Sequence, residues 1–299
     1  MIFDLIVVGG GPAGIACANE AKRLGLNVVL IEKNQLGGSV RYARKIENFP
    51  PFPSISGKAL FKHFQKFVEK SNIFVIFEDV EEISIFGNLL QTRNKSGNNI
   101  KGKSVFIATG QVDIIPEEYS SFGDLIRKSE DILSENLANK KVVVYGGGDV
   151  AFDLALSMLD AKAKTMIVCR SEIKAKPLLL QEATERKIKI LKKSTIKEIK
   201  KIKGKKVVVI NESFKVKEIV CDEIFFATGK KPLFPILNLP IEIENFDHST
   251  LQNLSKMGVF LGGDLIRGKN RNIAVAIGDG VKAAFDANNF LKGRKNGLL

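Results

Sequence analysis

The chain has 299 residues, of which 44% are hydrophobic and 26% charged, and its net charge is +13. That length exceeds a usual single domain and points to two, with the composition of an ordinary soluble globule. No run of 18 or more apolar residues occurs and "MIFDLIVVGGG" carries Asp4 and no basic leader, so no membrane span and no signal peptide are expected and the protein is expected in the cytoplasm.

In chain order, "FDLIVV" is a short apolar run of the parallel-strand type, and Gly9-Gly10-Gly11-Pro12-Ala13-Gly14 forms a tight turn. "GIACANEAKRLG" then follows with helical periodicity. A dinucleotide pyrophosphate suits that helix N-terminus, where free N–H groups and the helix dipole favour an anion. A second strand, "LNVVLIEKN", ends in Glu32, 21 residues after Gly11. An acidic side chain there accepts hydrogen bonds from ribose hydroxyls. Cys17 lies on the first helix and reads as small-residue packing.

An insertion, "GGSVRYARKIENFPPFPSISG", comes next. Short strands follow it, with Gly87-Asn88, Ser96-Gly97 and Gly102 as turn candidates, and they close on "VFIATG" with Ala108-Thr109-Gly110. The order then recurs: strand "KVVVYGG", helix "VAFDLALSML", strand "AKTMIVCR", a meander, and a close on "IFFATG" at Gly229. Gly9 to Gly110 spans 101 residues and Gly146 to Gly229 spans 83. Two repeats of a nucleotide-binding unit imply two nucleotides.

Residues 160–218 hold 18 Lys+Arg against 7 Asp+Glu, so +11 of the net charge falls there. Lysines alternate with aliphatic residues in "KILKKSTIKEIKKIKGKKVVVI", the pattern of half-buried strands with a wet basic face. The alternative is a docking surface for an acidic protein. No nucleic-acid motif accompanies the charge, so nucleic acid is not an expected partner. The cysteines, Cys17, Cys169 and Cys221, form no CxxC pair, which argues against a disulfide framework, a zinc site or an internal redox dithiol. His63 and His248 stand alone and read as structural or solvated.

Four blocks in order give the sequence a resemblance to the low-molecular-weight thioredoxin reductase-like flavoproteins over essentially its whole length. "GGGPAG" with Glu32 resembles the family's FAD block, and "GGSVRYARKIENFPPF" resembles its loop over the flavin ring. "GGGDVA" resembles the pyridine-nucleotide block, and "GVFLGGDL" with "RNIAVAIGDGVKAA" resembles the C-terminal return. The resemblance implies an α/β fold of two Rossmann-like domains of the three-layer ββα type, with an NAD(P) domain at 113–227 inserted in a discontinuous FAD domain at 1–112 and 228–299. Its implied FAD contacts are Gly9, Gly11, Pro12, Ala13, Gly14, Glu32, Lys33, Gly38, Ser39, Asn48, Val80, Ala108, Thr109, Gly110 and Gly263. Asp264 holds the ribityl chain in that reading. Arg271, Asn272 and Ile273 fall near the flavin pyrimidine edge, above a helix beginning near Gly278–Gly280.

The implied nicotinamide-nucleotide contacts are Gly146, Gly148, Asp149, Val150, Ala151 and Gly229, with Arg170, Ser171 and Lys174 at the 2′-phosphate position. Arg170 stands where NADPH-specific members begin a run of arginines, so NADPH is favoured, with NADH the alternative. True thioredoxin reductases carry a CxxC just before the second glycine block, where this chain has "DILSENLANKK". The closer likeness is therefore to the ferredoxin/flavodoxin–NADP reductases of this type, in which the flavin itself serves a protein partner. Those proteins commonly have a C-terminal extension over the flavin, whereas this chain ends in "NNFLKGRKNGLL", leaving Tyr42 as the candidate stacking lid. Expected, then, is an FAD-dependent NAD(P)H oxidoreductase serving ferredoxin or flavodoxin, with no side chain nominated as catalytic and a homodimeric state implied by the relatives. The alternatives are reduction of a disulfide or lipoyl group on a partner, a quinone or small oxidant, or a non-enzymatic FAD-binding redox sensor.

Overall fold

The computed structural model of the chain describes residues 1–134, 136–212, 215–241, 243 and 246–295. Glu135 in the "SENLANKK" stretch and residues 296–299 of the final stretch lie outside the described residues. In chain order the elements are β1 (Ile2–Val8), α1 (Pro12–Arg23), β2 (Val28–Glu32), α2 (Gly57–Ser71), β3 (Phe74–Phe77), β4 (Val80–Phe86), β5 (Leu89–Asn94), β6 (Asn99–Ile107) and β7 (Gln111–Asp113). Then come β8 (Arg127–Lys128), β9 (Lys141–Tyr145), α3 (Asp149–Asp160), β10 (Lys164–Val168), α4 (Pro177–Glu185), β11 (Lys189–Leu191), β12 (Ser194–Ile202), β13 (Lys205–Glu212), β14 (Lys215–Cys221), β15 (Glu223–Phe226) and β16 (Lys230–Pro232). The chain continues through β17 (Ile236–Asn238), α5 (His248–Lys256), β18 (Val259–Leu261) and α6 (Ile273–Lys295).

Two compact units result, one of Met1–Arg41, Ile46–Val112 and Pro232–Leu299, the other of Tyr42–Lys45 and Asp113–Lys231. In the first, β1 lies between β2 and β6 in parallel register, and β18 also runs parallel to β6. Burial on both faces explains the apolar run at residues 5–8 of β1, beyond Asp4. Leu5 and Val7 join a cluster with α1 and α6, while Ile6 and Val8 join one with Ile83, Leu90 and Leu254. Helices α1 and α6 approach closely because the facing residues are small: Ala13, Cys17, Ala18 and Ala21 against Ala276, Ala283, Ala284 and Ala287.

The second unit repeats the plan. Strand β9 runs parallel to β10 and β15, and its alternation puts Val142 and Val144 against Phe152 and Ala155 of α3. Val143 and Tyr145 face Ile199, Val208 and Ile210 of the antiparallel meander β12–β13–β14. Meander, parallel sheet and helix make the three layers of a Rossmann-like ββα unit.

Three sequence expectations are corrected. Gly102 lies inside β6 rather than at a turn, because a Cβ there would sit 2.7 Å from Ile6 Cγ1 of the neighbouring strand. Helix α6 begins at Ile273, not near Gly278–Gly280, with the Asn272 side chain accepting the Ala274 N–H at 2.8 Å. Gly280 is interior to it because a Cβ would lie 2.0 Å from the Ala13 carbonyl oxygen of α1. The later chain boundary falls after Lys231 rather than 227, since Thr228 donates to the Ile114 carbonyl at 2.5 Å and Lys230 pairs with Asp113 at 2.5 Å.

Candidate nucleotide sites

Each unit presents a strand, a glycine turn and a helix N-terminus. In the first, Gly9 has φ +106, and a Cβ there would meet the Ala108 carbonyl oxygen at 2.4 Å. A Cβ on Gly14 would meet the Gly9 carbonyl oxygen at 1.8 Å. Both glycines therefore serve the packing of the turn. Gly11 differs: it is the residue before α1, makes no side-chain cap, and a Cβ on it would meet nothing within 4 Å. The uncapped first turn of α1, opened by Pro12, thus faces open space beside Gly11, the form of an anion site.

Several sequence-derived residues converge on this turn. The Glu32 carboxylate, buried at the end of β2, accepts the Gly10 N–H at 2.6 Å and the Asn34 N–H at 2.9 Å. It holds the turn from below. A Cβ on Gly38 would lie 3.0 Å from Gly11 Cα, and one on Gly263 would lie 3.0 Å from Ala13 Cβ. The Ala108 N–H donates to the Val8 carbonyl, Thr109 donates to the Leu233 carbonyl, and the Gly110 carbonyl accepts the Leu233 N–H.

Others lie further out. Lys33, Ser39 and Asn48 are exposed. Val80 packs at the edge of the cluster around Val8 and Ile31. Tyr42 is half-buried and groups with the second unit. His63 is exposed against the Phe52 ring and His248 is exposed at the start of α5.

Two residues that sequence reasoning missed organise the C-terminal part of this site. Gln111 donates to the Asp264 carbonyl at 2.8 Å and accepts from Arg271 at 2.7 Å, linking two residues the resemblance had named separately. Asp279 accepts the Gly263 N–H at 3.0 Å and pairs with Arg267. The signal available for Asp279 was a second "GD" pair one helical segment beyond the first.

The second turn copies the first. A Cβ on Gly146 would meet the Ala227 carbonyl oxygen at 2.3 Å, as Gly9 meets Ala108. Gly148 precedes α3 as Gly11 precedes α1, again without a side-chain cap and with nothing within 4 Å of a Cβ. Asp149 opens α3 and accepts the Lys176 N–H at 2.8 Å. Val150 and Ala151 pack into the helix-face cluster, and the Gly229 carbonyl accepts the Ile114 N–H at 2.9 Å.

The copies diverge at the neighbouring strand end. Where the first turn meets Glu32, a Cβ on Gly147 would lie 2.2 Å from Cys169 Sγ. Beyond it Arg170 is largely exposed and 3.7 Å from Glu118, Ser171 and Lys174 are exposed, and the Lys174 N–H donates to the Gly147 carbonyl at 2.7 Å. A buried thiol takes the place of the carboxylate, and a cation and a hydroxyl follow it in the chain.

All three cysteines are buried and unbonded. Burial pushes the Cys17 thiol up and raises Cys221 to about 12. Four lysines of the meander are paired, Lys200 with Glu198, Lys205 with Asp222, Lys206 with Glu223 and Lys217 with Glu212, and Lys197, Lys201, Lys203 and Lys215 have no such partner among the described residues. No helix among the described residues is long and apolar enough to cross a membrane.

Two Rossmann-like units, each with an open glycine turn at a helix N-terminus, define an oxidoreductase of the thioredoxin reductase-like type. The chain belongs to the pyridine nucleotide-disulphide oxidoreductase family, whose model matches residues 3–280. It is 29% identical to the "34.2 kDa protein in rubredoxin operon" of Clostridium pasteurianum, over 98% of both chains. It is 28% identical to the thioredoxin reductase of Bacillus subtilis, over 97% of this chain and 95% of that one. Among solved structures, Lactococcus lactis thioredoxin reductase matches with a TM-score of 0.85 and 26% identity, covering 97% of this chain and 99% of that one.

Proposed function

We propose that the first unit binds FAD, the second binds NADPH, and the protein passes electrons from the nicotinamide through the flavin to an external acceptor, an acidic electron-carrier protein. The observation that carries this reading is the pair of turns at Gly11 and Gly148, alike in their open approach to a helix N-terminus and different in their strand-end partner. Pyrophosphate suits both. Glu32 suits an unphosphorylated ribose, whereas Arg170 with Ser171 and Lys174 suits a 2′-phosphate, so FAD is assigned to the first turn and NADPH to the second.

When bound, the cofactors supply the redox chemistry, a hydride from the nicotinamide and storage of two electrons on the flavin. The residues of this chain bind and orient them. Gln111 fixes Arg271 against the Asp264 backbone, and Asn272 caps α6. None of these steps needs a side-chain acid or base.

The chain has three cysteines, all buried and none in a CxxC pair, so electrons have no internal dithiol to enter and leave to a partner. The name of the Clostridium relative, a protein in a rubredoxin operon, supports a small electron carrier as that partner.

The test has two parts. Anaerobic NADPH is expected to bleach the flavin absorbance; persistent colour with both NADPH and NADH would end the enzyme reading. Turnover is then measured in parallel with ferredoxin, flavodoxin, rubredoxin, lipoamide and a quinone. Reduction of lipoamide or a protein disulfide with all three carriers silent would assign a different acceptor.

A further inference from the structure

The meander is not the one concentration of positive charge on this molecule. Of the meander lysines, Lys200, Lys205, Lys206 and Lys217 each have a carboxylate partner, whereas Lys197, Lys201, Lys203 and Lys215 have none among the described residues and lie scattered over strands and turns rather than in one row. Helix α2 carries a second, shorter set: Lys58, Lys62, Lys66 and Lys70, all exposed and spaced by four residues along one face. Among the described residues none of the four has a hydrogen-bond or ion-pair partner, and Glu69 is the one acidic residue on the helix.

This arrangement works against the helix that bears it. Like charges at i,i+4 repel, and Lys58 lies in the first turn, where the dipole disfavours a cation and no acidic residue offsets it. The opposite face, with Leu60, Phe64 and Val68, is buried in the first unit, so it explains the helix but not the lysines. Beside the row Phe67 is 44% exposed.

The row sits next to the first turn. A Cβ on Gly37 would lie 2.6 Å from the Phe61 ring of α2, and its neighbour Gly38 rests on Gly11. A partner seated on α2 is therefore one packing layer from the rim of the first nucleotide site.

We infer that the Lys58, Lys62, Lys66 and Lys70 face of α2 is the docking surface for the acidic electron-carrier protein, an assignment that rests on the functional reading above. Four point charges along about 18 Å of helix complement a carboxylate-rich protein face, and Phe67 supplies an apolar contact beside them. A membrane does not fit, because the apolar side of α2 is already buried. Nucleic acid fits poorly, since the face has no arginine fork and its two exposed rings are Phe67 and His63, the latter set against Phe52.

The test compares the FAD-loaded wild type with a quadruple K58E/K62E/K66E/K70E variant, the corresponding Lys→Gln variant, and a control reversing Lys197, Lys201 and Lys203 of the meander region. Kd for acidic ferredoxin, flavodoxin and rubredoxin is measured at low and high salt, with NADPH turnover of menadione, a neutral acceptor, read alongside. Reversal on α2 is expected to weaken carrier binding about tenfold or more at low salt. The glutamine variant should lose less and show a flatter salt dependence, and menadione turnover should hold. A Kd within twofold of wild type in both α2 variants, or a larger loss in the meander control, overturns the surface while leaving a carrier as acceptor. If wild type binds none of the three carriers, both the surface and the acceptor reading fail. Tighter α2-dependent binding to duplex DNA or anionic vesicles than to any carrier overturns the assignment in favour of that partner.

Discussion

The Gly10 N–H donates to the Glu32 carboxylate at 2.6 Å, across a separation of 22 residues. The end of β2 thus holds up the first glycine turn. Glu32→Ala leaves the buried Gly10 donor and the Asn34 N–H without their partner, at a cost of about 1–3 kcal/mol. Thermal unfolding of the flavin-free protein is expected to shift down, and FAD content with it. An unchanged midpoint would show that Glu32 supports only the ligand.

The glycines of the two turns divide into two kinds. Gly14→Ala and Gly280→Ala place a Cβ about 2 Å from a backbone oxygen of Gly9 or Ala13, and each is expected to cost more than about 3 kcal/mol or to prevent folding. Gly11 and Gly148 have extended backbone and open surroundings. Gly11→Ala and Gly148→Ala are expected to change stability by under about 1 kcal/mol, while the first lowers FAD occupancy and the second raises the KM for NADPH. Full FAD retention in Gly11→Ala would remove the pyrophosphate from that turn.

Arg44 ties the Tyr42–Lys45 segment to the helices of the second unit. Its guanidinium donates to Glu182 at 3.0 and 2.5 Å and to Asp160 at 2.6 Å, and its N–H donates to Asp153 at 3.0 Å. Hydrogen bonds from Arg44 hold Glu182 below its ordinary value, and Asp160 ends low as well because Arg44 and Arg186 outweigh its burial. These two carboxylates stabilise the fold fully above about pH 4 and lose that contribution as pH falls through their depressed folded values. Asp153 is raised by burial, so its sign is opposite: it favours the folded state in acid, and that contribution disappears as pH rises through its folded value. Arg44→Met is expected to cost about 1–2 kcal/mol at pH 7, limited by the partial exposure of the carboxylates. The acid limb of its stability profile should be shallower than that of wild type; equal slopes would show that the ion pairs carry none of the pH dependence.

The proposed route of electrons to an external acceptor makes no use of this chain's own thiols. Cys17, Cys169 and Cys221 are buried, so none is expected to react with a disulfide reagent until the protein is unfolded. Turnover should survive prolonged alkylation and the Cys221→Ser substitution. A native thiol that titrates quickly, with activity lost in step, would reinstate a dithiol or sulfenyl route.

Arg170 is expected to discriminate between nicotinamide nucleotides. Arg170→Ala should raise the KM for NADPH about tenfold, the value of one charge-assisted contact, and leave that for NADH nearly unchanged. Equal effects on both would place Arg170 outside the 2′-phosphate contact.

Much of this was legible in the residues. The repeated order of apolar strand, glycine turn and helix is local, and "FDLIVVGGGPAG" and "KVVVYGGGDVA" state it twice. What escaped depends on contacts between distant segments. Gly280 reads as a helix start because glycine breaks helices, yet it is needed inside α6 where Ala13 comes close. Gln111 gives no periodic or compositional signal, and its role appears only when Asp264 and Arg271 are brought to it. Summing charge along the chain pointed to the meander, because a linear count cannot see Lys206 meeting Glu223 or Lys205 meeting Asp222.

The contact of Gly280 with Ala13 also sets a timetable for synthesis. Residues 113–231 form nearly the whole second unit without interruption and emerge while the first unit still lacks α6. Domains commonly fold as units during translation, so the second turn is complete before the first, whose α1 waits for α6 to cover it. The first turn is therefore finished only once α6 has emerged, and whatever binds there enters a protein whose second unit is already built.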